Sequence, residues 1–202
     1  MNDLWINHPI VLQGKTVELH PLEAENFEKL LEAASNQEIW ELTSVNYSVP
    51  EIFYSNSNAA LQGREDGTVY PFVIIDKSTK EIIGTTRFLD IMPSDKKLEI
   101  GVTWIKKEYW GSIVNLECKL LLLSYSLDVL NANRVQFRAK ADNIRSRKAI
   151  EKIGGVFEGV FRKDKIEPNG CPRDTAFFSI IDSEWENAKK MIELKIEEKV
   201  NC

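Results

Sequence analysis

The chain is expected to fold as a mixed α/β structure of the α+β type, built on a mostly antiparallel sheet. Three observations lead there. Tyr70–Ile75, Ile82–Ile91 and Leu98–Ile105 are strand-like stretches separated only by the polar turns DKSTKE and MPSDKK; so little chain leaves no room for a crossover helix, and the three should pair antiparallel. Segments of helical periodicity precede and follow them. No linker, repeat or low-complexity segment divides the sequence, so residues 1–202 are expected to form one domain, with 1–13 as a lead and 183–202 as a helical tail.

Along the chain, Lys15–Leu19 reads as the first strand. Pro21 is placed to open a helix, where its missing N–H costs nothing, and Leu22, Phe27, Leu30, Leu31 and Ala34 form that helix's apolar face. A second helix is expected between Pro50 and Gln62, leaving through Gly63–Gly67. After the three strands comes Asn115–Leu130, apolar nearly all round at Leu120–Leu123 and long enough to be a helix buried against the sheet. Arg134–Ala141 is the next strand and Ile144–Ile153 the next helix, with Gly154–Gly155 supplying the left-handed exit that glycine adopts without a clash. Val156–Ile166 and Cys171–Ile181 read as a hairpin turning at Asn169–Gly170. Ser183, Trp185 and the charged stretch with Met191, Ile192 and Ile196 predict a terminal helix.

Composition narrows the function classes. A length of 202 residues buries roughly two thirds of the surface its unfolded form exposes, so no metal or disulfide staple is required. Cys118, Cys171 and Cys202 are an odd count without CxxC spacing, which argues for a reducing cytoplasm and against a tetrahedral metal site. His8 and His20 are too few for a His-rich metal centre. A net charge of −5 disfavours broad attraction to nucleic acid or anionic membrane, and the strongest apolar run, Leu120–Leu123, is far too short to span a bilayer.

Two stretches hold the densest chemistry. LEIGVTWIKKEYWGSIVN, Leu98–Asn115, is a strand, a glycine-bearing turn and a helix start; DNIRSRKAIEKIG, Asp142–Gly154, is a polar entrance to another helix. With NRVQFRAKADNIRSRKAIEKIGG and GVFR, they carry a resemblance to the GNAT acetyltransferase superfamily, in its branch of ribosomal-protein N-terminal acetyltransferase-like enzymes, running from about Gly14 to Trp185. The resemblance implies helices on both faces of a central sheet. It also implies that the family's fourth and fifth strands, here Leu98–Ile105 and Arg134–Ala141, splay apart to admit the pantetheine arm of acetyl-CoA.

The resemblance places the pyrophosphate loop at Lys106, Lys107, Trp110, Gly111, Ser112, Ile113, Val114 and Asn115. Backbone N–H groups there, helped by the helix dipole, can face phosphate oxygens, and the two lysines add attraction. Gly111 matches the first glycine of the family loop; Ile113 stands where its last small residue is expected. Asn143 matches a residue that holds the pantetheine arm, with Arg147 near the adenosine phosphates, although Asn143 and Ser146 are equally good helix caps. Ser146 faces the thioester sulfur by the same correspondence. Glu99 is the preferred acceptor of the amine's proton, and a backbone N–H from Val102, Thr103 or Trp104 is suited to charge developing on the carbonyl oxygen. Cys118, inside an apolar helix with no histidine beside it in sequence, reads as packing.

The expected partners are acetyl-CoA and either a peptide N-terminus or a small primary amine, with no metal, direct nucleic acid or membrane, and with the protein a monomer or homodimer. Trp40, Tyr47, Phe53, Tyr54 and Tyr70 belong to the half of the chain expected to border the acceptor, with Glu38, Glu41, Glu51 or Asp66 as candidates to attract a cationic amine, although most of these are expected to serve packing or solvation; Arg87 and Arg173 are candidate orienters whose local context supports no firm assignment. A polyamine or aminoglycoside acetyltransferase and a nonenzymatic acyl-CoA-binding regulator are the alternatives.

Overall fold

The structure is a computed structural model and describes residues 4–200; Cys202, counted among the thiols above, lies outside them. One eight-stranded sheet runs in the order β1-β2-β3-β4-β5-β6-β8-β7. Its strands are β1 (Leu12–Gln13), β2 (Val17–Pro21), β3 (Tyr70–Asp76), β4 (Ile82–Met92), β5 (Lys97–Ile105), β6 (Arg134–Lys140), β7 (Val156–Ile166) and β8 (Pro172–Ile181). The helices are α1 (Phe27–Ala33), α2 (Pro50–Glu65), α3 (Val114–Ser124), α4 (Ile144–Glu151) and α5 (Asp182–Val200). Every neighbouring pair is antiparallel except β5 and β6.

Helices cover both faces because the strands alternate. Phe72, Ile74, Ile83, Phe88, Leu98 and Ile100 turn toward a core closed by Cys118 and Leu122 of α3, Ile150 of α4 and Trp185, Ala188 and Ile192 of α5. Val73, Ile82 and Trp104 turn the other way and pack with Phe27 and Leu30 of α1, Phe53 of α2, Ile39 and Trp40.

Two expected features are corrected. Pro21 does not open a helix: it ends β2 opposite Phe72, and the helical turn begins at Ala24–Asn26, where the Glu23 amide donates to Asn26 Oδ1 at 2.9 Å. Proline fits the strand end for the reason it would fit a helix start, since its missing donor is not needed there. The helix expected over Asn115–Leu130 keeps its α geometry only to Ser124 and continues as a π-helical turn, Tyr125–Val129, closed by the Leu130 amide on the Tyr125 carbonyl at 2.9 Å. The wider turn buries Ser126 and Leu127 and presents Asp128 to the Trp185 indole N–H at 2.6 Å. The remaining elements lie where the sequence predicts them, within a few residues at their ends, and β1 is an addition.

Glu117 ties α3 to the sheet. Although buried in an apolar helix, its carboxylate accepts from the Lys15 amide, the Thr16 amide at 3.0 Å, the Thr16 hydroxyl and the Val17 amide at 3.2 Å. A Cβ on Gly14 would collide with this carboxyl, so the chain passes over it only as glycine. Glu117→Gln presents an N–H2 group to donors and should cost about 2–3 kcal/mol of stability, read as a lowered urea midpoint with unchanged m value.

Candidate functional site: the parting of β5 and β6

The two central strands pair only at Lys97↔Arg134, Leu98↔Val135 and Glu99↔Gln136. Beyond Glu99 they separate, and the backbone of Ile100–Ile105 that faces β6 has no strand partner. A bulge sets this course: Arg87 pairs with Gly101 but Thr85 with Trp104, so Val102 and Thr103 together oppose Thr86. Val102 takes a φ of 47°, a left-handed conformation costly for a β-branched residue. Gly84 makes the bulge possible, because a Cβ there would drive into the Trp104 carbonyl.

On the α1/α2 face of the parting strands, Glu99 is 4% exposed. Its Oε2 receives Gln136 Nε2 at 3.2 Å and the Arg138 guanidinium, which also reaches Asp90 at 2.8 Å. Its Oε1 leans over Gly101, 3.0 Å from where a Cβ would stand. Burial pushes the Glu99 pKa above the ordinary carboxylate value, against the opposing pull of Arg138 and Gln136. On the other face Thr103 shares a 2.8 Å hydrogen bond with Thr86 and accepts another, also 2.8 Å, from Lys119 Nζ. That ammonium lies 5.9 Å from the centre of the Phe137 ring on β6, so Lys119 spans the two strands from the α3 side. Burial lowers its pKa to about 8.

Past β5, Trp110 closes the turn with its indole on the Ile105 carbonyl at 3.1 Å, and Arg145 of α4 stacks over its ring at 4.6 Å. Gly111 has a φ of 76° with open space beside it. Ser112 donates to the Tyr109 carbonyl at 2.6 Å and accepts from the Val114 amide at 3.2 Å, starting α3. Ile113 turns its half-buried side chain toward the core beside buried Val114. Among the described residues, the amides of Gly111, Ile113 and Asn115 have no hydrogen-bond partner. Lys106 pairs with Glu81 at 3.4 Å and Lys107 with Glu38 at 2.6 Å.

Across the gap, Asn143 Oδ1 accepts from the Ser146 amide at 2.9 Å, capping α4, while its Nδ2 donates to the Leu42 carbonyl at 3.0 Å. Arg147 donates to the Ala141 carbonyl at 3.0 Å and stacks on Phe157. The segment 36–49 crosses this face and is pinned from several sides. Trp40 packs on Trp104 and Tyr47, with centroids 5.3 and 5.4 Å apart, while Ser44 donates to Glu167 at 3.0 Å and accepts from Arg173 at 2.7 Å. Of the other aromatic residues named for this half, Phe53 and Tyr70 are core, and the Tyr70 hydroxyl accepts from the Ile10 amide at 3.0 Å.

The sequence profile described as "Acetyltransferase (GNAT) domain" matches residues 16–156. The chain belongs to the GNAT acetyltransferase family. It is 34% identical over 132 residues to "Putative ribosomal N-acetyltransferase YdaF" of Bacillus subtilis (strain 168), a match spanning 65% of this chain and 66% of that one. Over 178 residues it is 26% identical to "Uncharacterized N-acetyltransferase p20" of Bacillus licheniformis, spanning 86% of this chain and 97% of that one. The crystal structure of a GCN5-related N-acetyltransferase from Brucella melitensis superposes with a TM-score of 0.84 at 26% identity, over 93% of this chain and 85% of that one.

The residues of this GNAT chain fit the acetyl-CoA that the family implies. Amides without partners at Gly111, Ile113 and Asn115 stand at the amino end of α3, where a diphosphate is favoured, and the gap beside Val102–Trp104 exposes strand backbone to an amide-bearing arm. Sequence reasoning passed over Glu117, Lys119 and the Arg138–Asp90 partnership. The signal for the first two was present as charges interrupting the apolar run NLECKLLLL; Arg138 could be found only from the register of β6 on β5.

Two outcomes follow from this geometry. Gly84→Ala should displace the Trp104 carbonyl, costing about 1–3 kcal/mol and weakening acetyl-CoA binding by calorimetry, since the displaced strand borders the gap. Lys119→Met should raise stability at pH 7 by about 2–3 kcal/mol. The sign follows from the lowered pKa: the buried ammonium costs most below about pH 8, and the cost fades as the unfolded-state lysine also loses its proton near 10.4. The variant's advantage in thermal melts should therefore shrink between pH 8 and 10.5.

Proposed function

We propose that the protein transfers the acetyl group of acetyl-CoA to a primary amine, and that the acceptor is the α-amine of a protein or peptide. The observation that carries this reading is the loss of pairing beyond Glu99, which opens the sheet beside a buried carboxylate with one oxygen uncommitted to donors among the described residues. Family membership supplies the co-substrate, and the name of the YdaF relative favours a ribosomal protein as acceptor. We place the reaction in the cytoplasm, where the chain's unpaired thiols would stay reduced.

In this scheme acetyl-CoA supplies an activated thioester. The amides of Gly111, Ile113 and Asn115 bind its diphosphate, and Asn143 holds the Leu42 carbonyl so that segment 36–49 stays over the acceptor side. Glu99 Oε1 takes the proton of the attacking amine, directly or through water, while Arg138 and Gln136 hold Oε2 and fix the carboxylate's orientation. A backbone N–H within Val102–Trp104 meets the charge on the carbonyl oxygen, and the Ser146 hydroxyl donates a hydrogen bond to the departing thiolate, which takes its proton from the amine by way of Glu99 and solvent.

The test is an acceptor library, from amino-terminal peptides to polyamines and aminoglycosides, with isotopically labelled acetyl-CoA and mass-resolved products. Transfer to peptide α-amines is expected; label appearing only on small polyamines would overturn the acceptor class. Because burial raises the Glu99 pKa, the acidic limb of kcat/KM should fall at a pH above the ordinary carboxylate value. Glu99→Gln should lower kcat/KM by about 10²–10⁴-fold and abolish that limb, and a folded variant with wild-type turnover would remove Glu99 from the mechanism.

A further inference from the structure

Arg87 stands on the acceptor-facing side of β4 as a buried cation without a counterion. It is 6% exposed, its Nε has no hydrogen-bond partner, and no carboxylate among the described residues forms an ion pair with it. Strand register explains the isolation. Its cross-strand neighbours are Pro71 on β3 and Gly101 on β5, neither with an acceptor side chain. Along β4 the same face holds Leu89 and Thr85, whose hydroxyl is spent on the Phe72 carbonyl at 2.5 Å. Phe88 and Thr86 belong to the opposite face, the first in the α3-side core and the second bonded to Thr103. Among the described residues, the ionisable group that acts on the guanidinium is Tyr47, from the pinned segment 36–49. An unpaired guanidinium in such a place costs several kcal/mol unless an anion meets it.

Among the described residues, the half-buried basic side chains of β6 and β8 nearest the gap on this face are already matched. Arg138 is held by Glu99 and Asp90, Lys140 by Glu167 at 3.2 Å, and Arg173 by Ser44. Against these, the buried Arg87 keeps an unused fork of donors, the geometry that takes a carboxylate bidentately. It is also the diagonal neighbour of Glu99, because Arg87 pairs with Gly101 and Glu99 lies two residues before that glycine on the same face. Diagonal positions stand roughly 7–8 Å apart. An acceptor whose amine sits at Glu99 would therefore place a carboxylate a few bonds away at Arg87.

We infer that Arg87 is an anion-recognition residue of the acceptor site, and that the preferred acceptor is an amine bearing a carboxylate close to it. The inference rests on the acetyltransferase reading and deepens it. Such a carboxylate has two sources: an acidic first side chain of a peptide, or the α-carboxylate of a free amino acid. It excludes polyamines and aminoglycosides as preferred acceptors, since their cationic bodies would meet a second buried cation.

The experiment uses full-length protein loaded with coenzyme A and measures acceptor binding by calorimetry, so it reads out whether or not transfer is observed. One pair of probes is a peptide amide beginning with Glu and its Gln-initiated counterpart; the other is alanine and alaninamide. The carboxylate member of at least one pair should bind tenfold or more tightly, and the pair that discriminates names the source. Arg87→Gln should abolish that preference while leaving coenzyme A affinity unchanged, and Arg87→Lys should restore part of it. Arg87→Met, by removing an unpaired buried charge, should melt higher than wild type, which separates loss of recognition from loss of fold. Equal binding within both pairs, or a preference that survives in Arg87→Gln, overturns the inference. Discrimination in binding without acetyl transfer to any acceptor would leave Arg87's role standing and overturn the enzymatic reading instead.

Discussion

The close approach of the Gly84 backbone to the Trp104 carbonyl is the constraint on which the rest of the structure turns. With no side chain at 84, β5 absorbs an extra residue at Val102–Thr103 and changes direction against β4. A strand that bends away at this point cannot remain in register with β6, and pairing ends at Glu99. The gap is therefore a product of local backbone sterics at one strand pair, and its strain is stored in the left-handed Val102. The surrounding core holds that strain in place, with Ile100 and Ile105 anchored on the α3 side and Trp104 on the other.

Around the gap, charge is distributed by whether each group finds a partner. Glu117 is saturated by backbone and hydroxyl donors and acts as a rivet between α3 and the first long strand. Lys119, two residues on, meets among the described residues only the Thr103 hydroxyl and an aromatic face, so desolvation dominates and its proton is loosely held. Glu99 is intermediate: buried enough to be a stronger base than a surface carboxylate, yet oriented by Arg138 and Gln136. Among the described residues Arg87 has no such partner. These differences follow from tertiary placement, since all four belong to residue types that are ordinarily solvated.

The order of elements was legible because it depends on local periodicity and turn chemistry. The hairpin at Gly170, with φ 81°, and the helix exit at Gly154, with φ 92°, lie where glycine alone would place them. Short turns between Tyr70 and Ile105 made three antiparallel strands the economical reading, and β3, β4 and β5 pair so. Pro21 misled because a missing amide donor suits the end of a strand as well as the start of a helix. The π-helical turn at Tyr125–Val129 has no local signature, being set by how Ser126, Leu127 and Asp128 meet the core and Trp185.

Sequence by itself determined which segments are helix or strand, which faces are apolar, and where a glycine turn meets a helix start at Gly111–Asn115. Tertiary structure alone decided that β5 and β6 part after three residue pairs, that Arg138 reaches Glu99, that Asn143 binds the Leu42 carbonyl from 101 residues away, and that Arg87 is left unpaired. The physical reason is range. Periodicity and turn preference are written in neighbouring residues, whereas the partner of a buried charge depends on strand register and helix docking, which bring together side chains far apart in the chain.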